Sequence, residues 1–143
     1  MDIQESLLTS IYNTLTGDAT LQGLMGGTVR LYPVFAPPDA EFPYLVHRLD
    51  IGRIADWCPR MRCTYLLDIW SYSPSAEEAL DIRQRLMTLL DGLDSSTAET
   101  TEFYVWRQTD GFVPEIAENI WHYACQFNLK WLKDDEIGVA MKR

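Results

Sequence analysis

The sequence is poor in the residues from which most protein chemistry is built. It holds two histidines and three cysteines in 143 residues. Cys58, Cys63 and Cys125 are odd in number and form no Cys-x-x-Cys pair, so neither a disulfide framework nor a zinc site is indicated. Each thiol reads instead as a small buried hydrophobe. Basic residues are also scarce. Twelve Lys and Arg stand against 21 Asp and Glu, a net charge of -9, which excludes the clustered cations that grip nucleic-acid phosphates. No run approaches the about 18 consecutive apolar residues of a membrane span. Met1-Asp2-Ile3-Gln4-Glu5 lacks the basic start of a signal peptide, so a cytosolic product with no membrane partner is expected.

Catalytic constellations are missing as well. Gly23, Gly26 and Gly27 make no phosphate loop, because no Lys-Ser or Lys-Thr follows them. His47 and His122 fall on different predicted strands, and no Ser or Cys motif accompanies either. Glu77, Glu78 and Asp81 could attract a cation, but acidic residues opening a helix are already explained by its dipole. The expectation is therefore no enzyme, with no catalytic, cofactor-binding or metal-binding residue.

What the sequence does have is the balance of one folded domain: 47% hydrophobic, 12% aromatic and 23% charged residues. Ile3, Leu7, Ile11 and Leu15 recur every four residues with Leu8 beside them, which predicts an amphipathic helix ending near Gly17. Asp2 with Glu5 reads as a capping pair at its start, and Gly17 as a left-handed stop. Asp18 caps a short second helical piece that Gly26 and Gly27 end. Val29 to Tyr32 is a short strand, and the run from Pro33 to Pro43 is a surface loop. Period-2 alternation predicts strands over Tyr44–Ile51 and Met61–Trp70, joined by a long connection from Gly52 to Arg60. A helix follows, with either Ser73-Pro74 or Ser75 and Glu78 setting its start and Ala76, Ala79, Leu80, Ile82, Leu86, Met87, Leu89 and Leu90 on its apolar stripe. Asp94 to Thr101 reads as a loop, Phe103 to Thr109 as a strand, and Gly111 to Pro114 as a turn-rich insert. The last strand places Trp121, Tyr123, Cys125, Phe127, Leu129 and Trp131 on one face.

This order predicts an α+β fold: an antiparallel β-sheet of about four to five strands with two helices packed on one face. One domain would cover residues 1–133, with a flexible tail over 134–143. Five Trp, seven Tyr and five Phe exceed what so small a core can bury. Trp57, Trp70, Trp106 and Tyr72 are therefore expected on a surface that another subunit covers. The Gly52–Arg60 connection is longer than a hairpin turn and carries Arg53, Trp57 and Arg60, residue types enriched where interfaces concentrate their energy. Arg53, Trp57, Arg60 and Trp70 are the candidate interface residues.

Several segments taken together resemble the tail terminator, or tail completion, family of long-tailed bacteriophages. They are the helix ending in Gly17-Asp18-Ala19, the double glycine before Val29-Arg30-Leu31-Tyr32-Pro33, and the Pro-rich loop leading into Phe42-Pro43-Tyr44-Leu45-Val46. Leu67-Asp68-Ile69-Trp70, the helix with Glu77, Glu78, Ala79 and Leu80, and Trp121-His122-Tyr123 with Phe127 and Trp131 complete the pattern. Cys58, Trp57 and Pro59 depart from it. The resemblance implies a homo-oligomeric ring, commonly a hexamer, at the head-proximal end of the tail in the virion. Such a ring caps the tail tube, stops its growth and offers a surface to the head, with the major tail tube protein and a head connector or stopper protein as partners. DNA would pass through without specific binding. A head-side connector or stopper is the alternative within this class, and a small soluble enzyme or ligand-binding domain the alternative outside it.

Overall fold

The computed structural model describes residues 3–53, 60–97 and 100–133. The elements are α1 (Ile3–Thr16), α2 (Ala19–Leu24), β1 (Leu31–Pro33), β2 (Tyr44–Arg53), β3 (Arg60–Tyr72), α3 (Glu77–Leu90), β4 (Leu93–Thr97), β5 (Thr100–Val113) and β6 (Ile120–Lys133). The strands form one sheet in the order β1-β2-β3-β6-β5-β4. The mixed α/β composition holds, but the described residues contain six strands and three helices where four to five strands and two helices were expected. The positions 134–143 of the expected tail lie outside the described residues.

Periodicity explains the parts that match. Leu7, Ile11 and Leu15 of α1 are fully buried, as are Ala79, Ile82, Leu86 and Leu90 of α3, while Leu80 turns out to be exposed. α1 and α3 contact the sheet, and α2 packs on both of them. The sheet meets them with alternate residues: Leu45, His47 and Leu49 of β2, Cys63 to Ile69 of β3, Phe103 and Val105 of β5, and Tyr123 to Leu129 of β6. Asp18 does what its position predicts and more. Its Oδ2 accepts the Leu21 N–H at 2.8 Å, and the carboxylate also takes Arg85 Nε at 2.9 Å and Nη2 at 2.7 Å, capping α2 and tying it to α3.

Five local expectations need correction. Gly17 is not left-handed; a Cβ there would lie 2.9 Å from the Asn13 carbonyl oxygen, so glycine is needed for close approach. Gly26 and Gly27, at φ 83° and 109°, are the left-handed pair. α3 uses neither cap register: Ala76 is its N-cap without a side-chain bond, because Glu78 accepts instead from the buried Ser71 hydroxyl at 2.6 Å. Leu93–Thr97 is the edge strand β4, not a loop, and β5 runs on through Gly111 because β6 supplies a partner that far.

The fifth correction concerns direction. β1 pairs with β2 in parallel, so the sheet is not wholly antiparallel. One side chain holds the connection. The Arg30 guanidinium donates to the carbonyls of Met25 at 3.0 Å, Glu41 at 3.0 Å, Pro43 at 3.1 Å and Phe42 at 3.2 Å, drawing both ends of the Pro-rich loop together where a crossover helix would otherwise stand.

Candidate interaction surface

The groups that could do chemistry are buried and matched. His47 Nδ1 lies 2.6 Å from the Tyr65 hydroxyl, and burial pushes the imidazole down to about 4, so it is neutral at pH 7. Burial likewise pushes the Cys63 and Cys125 thiols up to about 12, far from the thiolate a nucleophile needs. Asp110 accepts from Arg83 Nε at 2.8 Å, Arg107 Nη1 at 3.0 Å and the Tyr123 hydroxyl. Burial alone would raise its carboxyl; these donors outweigh it and hold the carboxyl below its ordinary value. Among the described residues no three His, Cys, Asp or Glu stand together as a metal site, and no helix is long and apolar enough to cross a membrane.

The face of the sheet away from the helices is different. Where β2, β3 and β6 start or end beside the Pro-rich loop, aromatic rings line up across strands. Trp70 stacks on the His122 ring at 3.9 Å between centroids and 16°, and on its other side stacks toward Tyr44 at 6.2 Å and 18°. Tyr44 in turn meets Tyr32 at 6.1 Å and Phe42 at 5.1 Å, and Phe42 meets Tyr72 at 6.0 Å. Cross-strand aromatic pairs of this kind stabilise a sheet, yet here the row opens to solvent, with Tyr72 59% exposed.

The loop after β1 walls this row. Val34 has φ 67°, and Phe35 N–H donates to the Pro33 carbonyl at 2.7 Å, an i to i+2 turn that is strained for a β-branched residue. The turn presents Val34, 64% exposed, and Phe35, 75% exposed. Val34, Phe35 and Ala36 form one side of an open groove whose floor is Tyr44, Val46, Asp68 and Trp70.

His122 closes the other end of the row. Its Nδ1 lies 2.9 Å from Glu115 Oε1 in the β5–β6 loop, and its Nε2 is 3.6 Å from Asp68 Oδ1, an ion-pair distance too long for a direct hydrogen bond. Burial lowers the imidazole's affinity for a proton. The carboxylates of Asp68 and Glu115 more than restore it, so its pKa stands above the ordinary value. The contact with Glu115 ties this ring to the loop that carries Ile116, a fully exposed aliphatic side chain.

The candidate interface residues divide between the two ends of β3. Trp70 sits in the aromatic row. Arg53 and Arg60 lie at the far end, where Arg53 pairs with Met61, about 33 Å away at the rise of an extended strand. Trp57 lies outside the described residues. Trp106 is half-buried under Lys130, whose Nζ is 5.2 Å from the ring centre. The exposed Val34, Phe35 and Ile116 escaped sequence reasoning. Single apolar residues in loops carry no periodic signal, and the one available hint was the β-branched Val34 following Pro33.

No family model matches the sequence, and no curated protein matches it. The fold has a solved counterpart. One chain of the structure described as "Virion of native gene transfer agent (GTA) particle" superposes with a TM-score of 0.75 at 15% identity, covering 91% of this chain and 94% of its own. At that identity the likeness establishes the fold alone.

Proposed function

We propose that this chain is a structural virion protein, and within the virion a tail terminator: a subunit of a ring that caps the tail tube, ends its growth and presents the surface on which the head is joined. The observation that carries the reading is the fold shared with a virion chain over nearly the whole length of both. The order of sequence segments adds the terminator position, and the solvent-open aromatic row and exposed loop residues add the need for partners. The chain acts by binding, not by catalysis, since its histidines and described cysteines are committed to packing and ion pairs.

The ring is homo-oligomeric, a hexamer in this reading, between the major tail tube protein and a head connector or stopper protein. The arm that holds Arg53, Trp57 and Arg60 contacts an adjacent subunit or ring, and the Trp70 row is a second, separate contact. A net charge of -9 suits a lumen through which DNA passes without being held. Negative-stain imaging of the purified protein mixed with tail tubes tests the position. A ring seated on one tube end is expected; rings bound only to the portal vertex of heads would move the protein to the connector position. Bare tube ends and bare portals would remove both readings.

A further inference from the structure

We infer that a second copy of this chain docks edge to edge on its sheet, β1 of one copy lying against the upper half of β5 in the next. The inference deepens the ring reading by naming the surface through which the ring closes. It starts from the outline of the sheet. Among the described residues, β1 covers only Leu45 to His47 of β2, leaving the outer side of β2 from Arg48 to Arg53 without a strand. β4 covers β5 only as far as Val105, leaving Trp106 to Val113 without an outer strand among the described residues. Among the described residues each edge is therefore a step, with a strand along one half and none along the other, where Arg107 N–H alone is taken, by Asp91 Oδ1 at 2.8 Å.

The steps interlock. Tracing partners across the sheet, Leu31 shares a rank with Leu45, Ile69, Tyr123 and Phe112, and Tyr32 with Val46, Asp68, Ala124 and Gly111. The strand on one edge stands at the height of the gap on the other. Below them, Leu93 of β4 shares a rank with Val105, Leu129, Cys63 and Ile51, so the second strand also meets the second gap. A neighbour displaced sideways by one sheet width sets β1 against residues 110–112 of β5 and Leu93 to Ser95 of β4 against residues 51–53 of β2, and β1 then runs antiparallel to β5. Such a head-to-tail contact uses two unlike surfaces and generates rings when the rotation closes.

Side chains at the junction suit it. Exposed apolar residues lie beside both edges: Val34 and Phe35 just past the end of β1, and on β5 Phe112, at the rank of Leu31, with Val113 next to it. A two-fold pairing of like edges would cover one set and leave the other in water; the head-to-tail contact covers both. Gly111 stands opposite Tyr32 on the open face. A Cβ there would meet nothing within 4 Å inside the chain, so the glycine answers no packing need of its own subunit and leaves room for a ring from across the junction. Pro33 offers no N–H on this edge, and its carbonyl already binds Phe35, which keeps the junction to a short ladder.

Disulfide trapping tests the contact. In a Cys58→Ser background, Tyr32→Cys and Gly111→Cys variants are made separately and checked for the parent's melting behaviour. Each is then oxidised alone and mixed, at concentrations where light scattering reports association. Directly opposed Cβ atoms in an antiparallel pair fall within disulfide reach, so the mixture is expected to give a covalent dimer that neither variant gives alone. A dimer from Tyr32→Cys alone, or association with no 32–111 bond, would overturn the edge contact while leaving a ring of another geometry intact. No association at any concentration would overturn it too, and imaging with tail tubes would still judge the ring. Should a variant fail to fold, hydrogen exchange on the unmodified protein replaces it. Association should then slow the amides of Leu31 and residues 110–113, and unchanged exchange there would overturn the proposal.

Discussion

Arg30, His47 and Asp110 each hold together segments distant in sequence, and each can be tested singly. Arg30 binds four backbone carbonyls from two segments, so Arg30→Met strands several acceptors at once. The expected cost is about 2 kcal/mol, in the range for hydrogen bonds to charged groups. Denaturant midpoints measure it, and faster amide exchange confined to residues 34–43 should accompany it. His47 gives a pH signature. Its folded pKa of about 4 lies below its unfolded value near 6.5, so the unfolded chain binds more protons between them. The stabilisation is complete above pH 6.5 and falls as pH drops toward 4, by up to about 3 kcal/mol. His47→Gln, which retains an acceptor for Tyr65, should flatten that slope in urea titrations from pH 7 to 4.5. Asp18 and Asp110 add a later loss at lower pH, since both carboxyls are held below their ordinary values and must be protonated there.

Among the described elements, the β5–β6 loop is held by a titrating contact. His122 has a raised pKa, so the hold that Asp68 and Glu115 exert is fully present below about 6.5 and is lost as pH rises through the folded value. Amide exchange over residues 114–119 should therefore quicken with pH beyond the chemical rate, and Glu115→Gln should make it fast at every pH. The long elements were legible in the sequence because burial on one face writes a period: β3 and β6 by alternation, α1 and α3 by their stripes. β4 was not. Its sequence, Leu-Asp-Ser-Ser-Thr, is that of a polar edge strand, indistinguishable from a loop without its partner β5. The parallel placement of β1 was invisible for a related reason, since it depends on Arg30 reaching residues 11 to 13 positions onward. Trp70 is an interface candidate from composition, but its stacking partners Tyr44 and His122 come from two other strands, and no local pattern joins them.

At the scale of the whole molecule, the proposed contacts fall at the two ends of the sheet. The arm between β2 and β3 predicts that a Trp57→Ala, Arg60→Ala double variant folds with unchanged stability yet produces overgrown or headless tails; infectious particles of normal tail length would show the arm to be a mere connection. In the proposed role this chain ends tube growth in a virion. The most direct measurement is the distribution of tail-tube lengths, by electron microscopy, in particles assembled with and without it. With the protein, tubes of one length joined to heads are predicted; without it, long tubes of scattered length beside unattached full heads. Tubes of normal, uniform length in its absence would contradict the account.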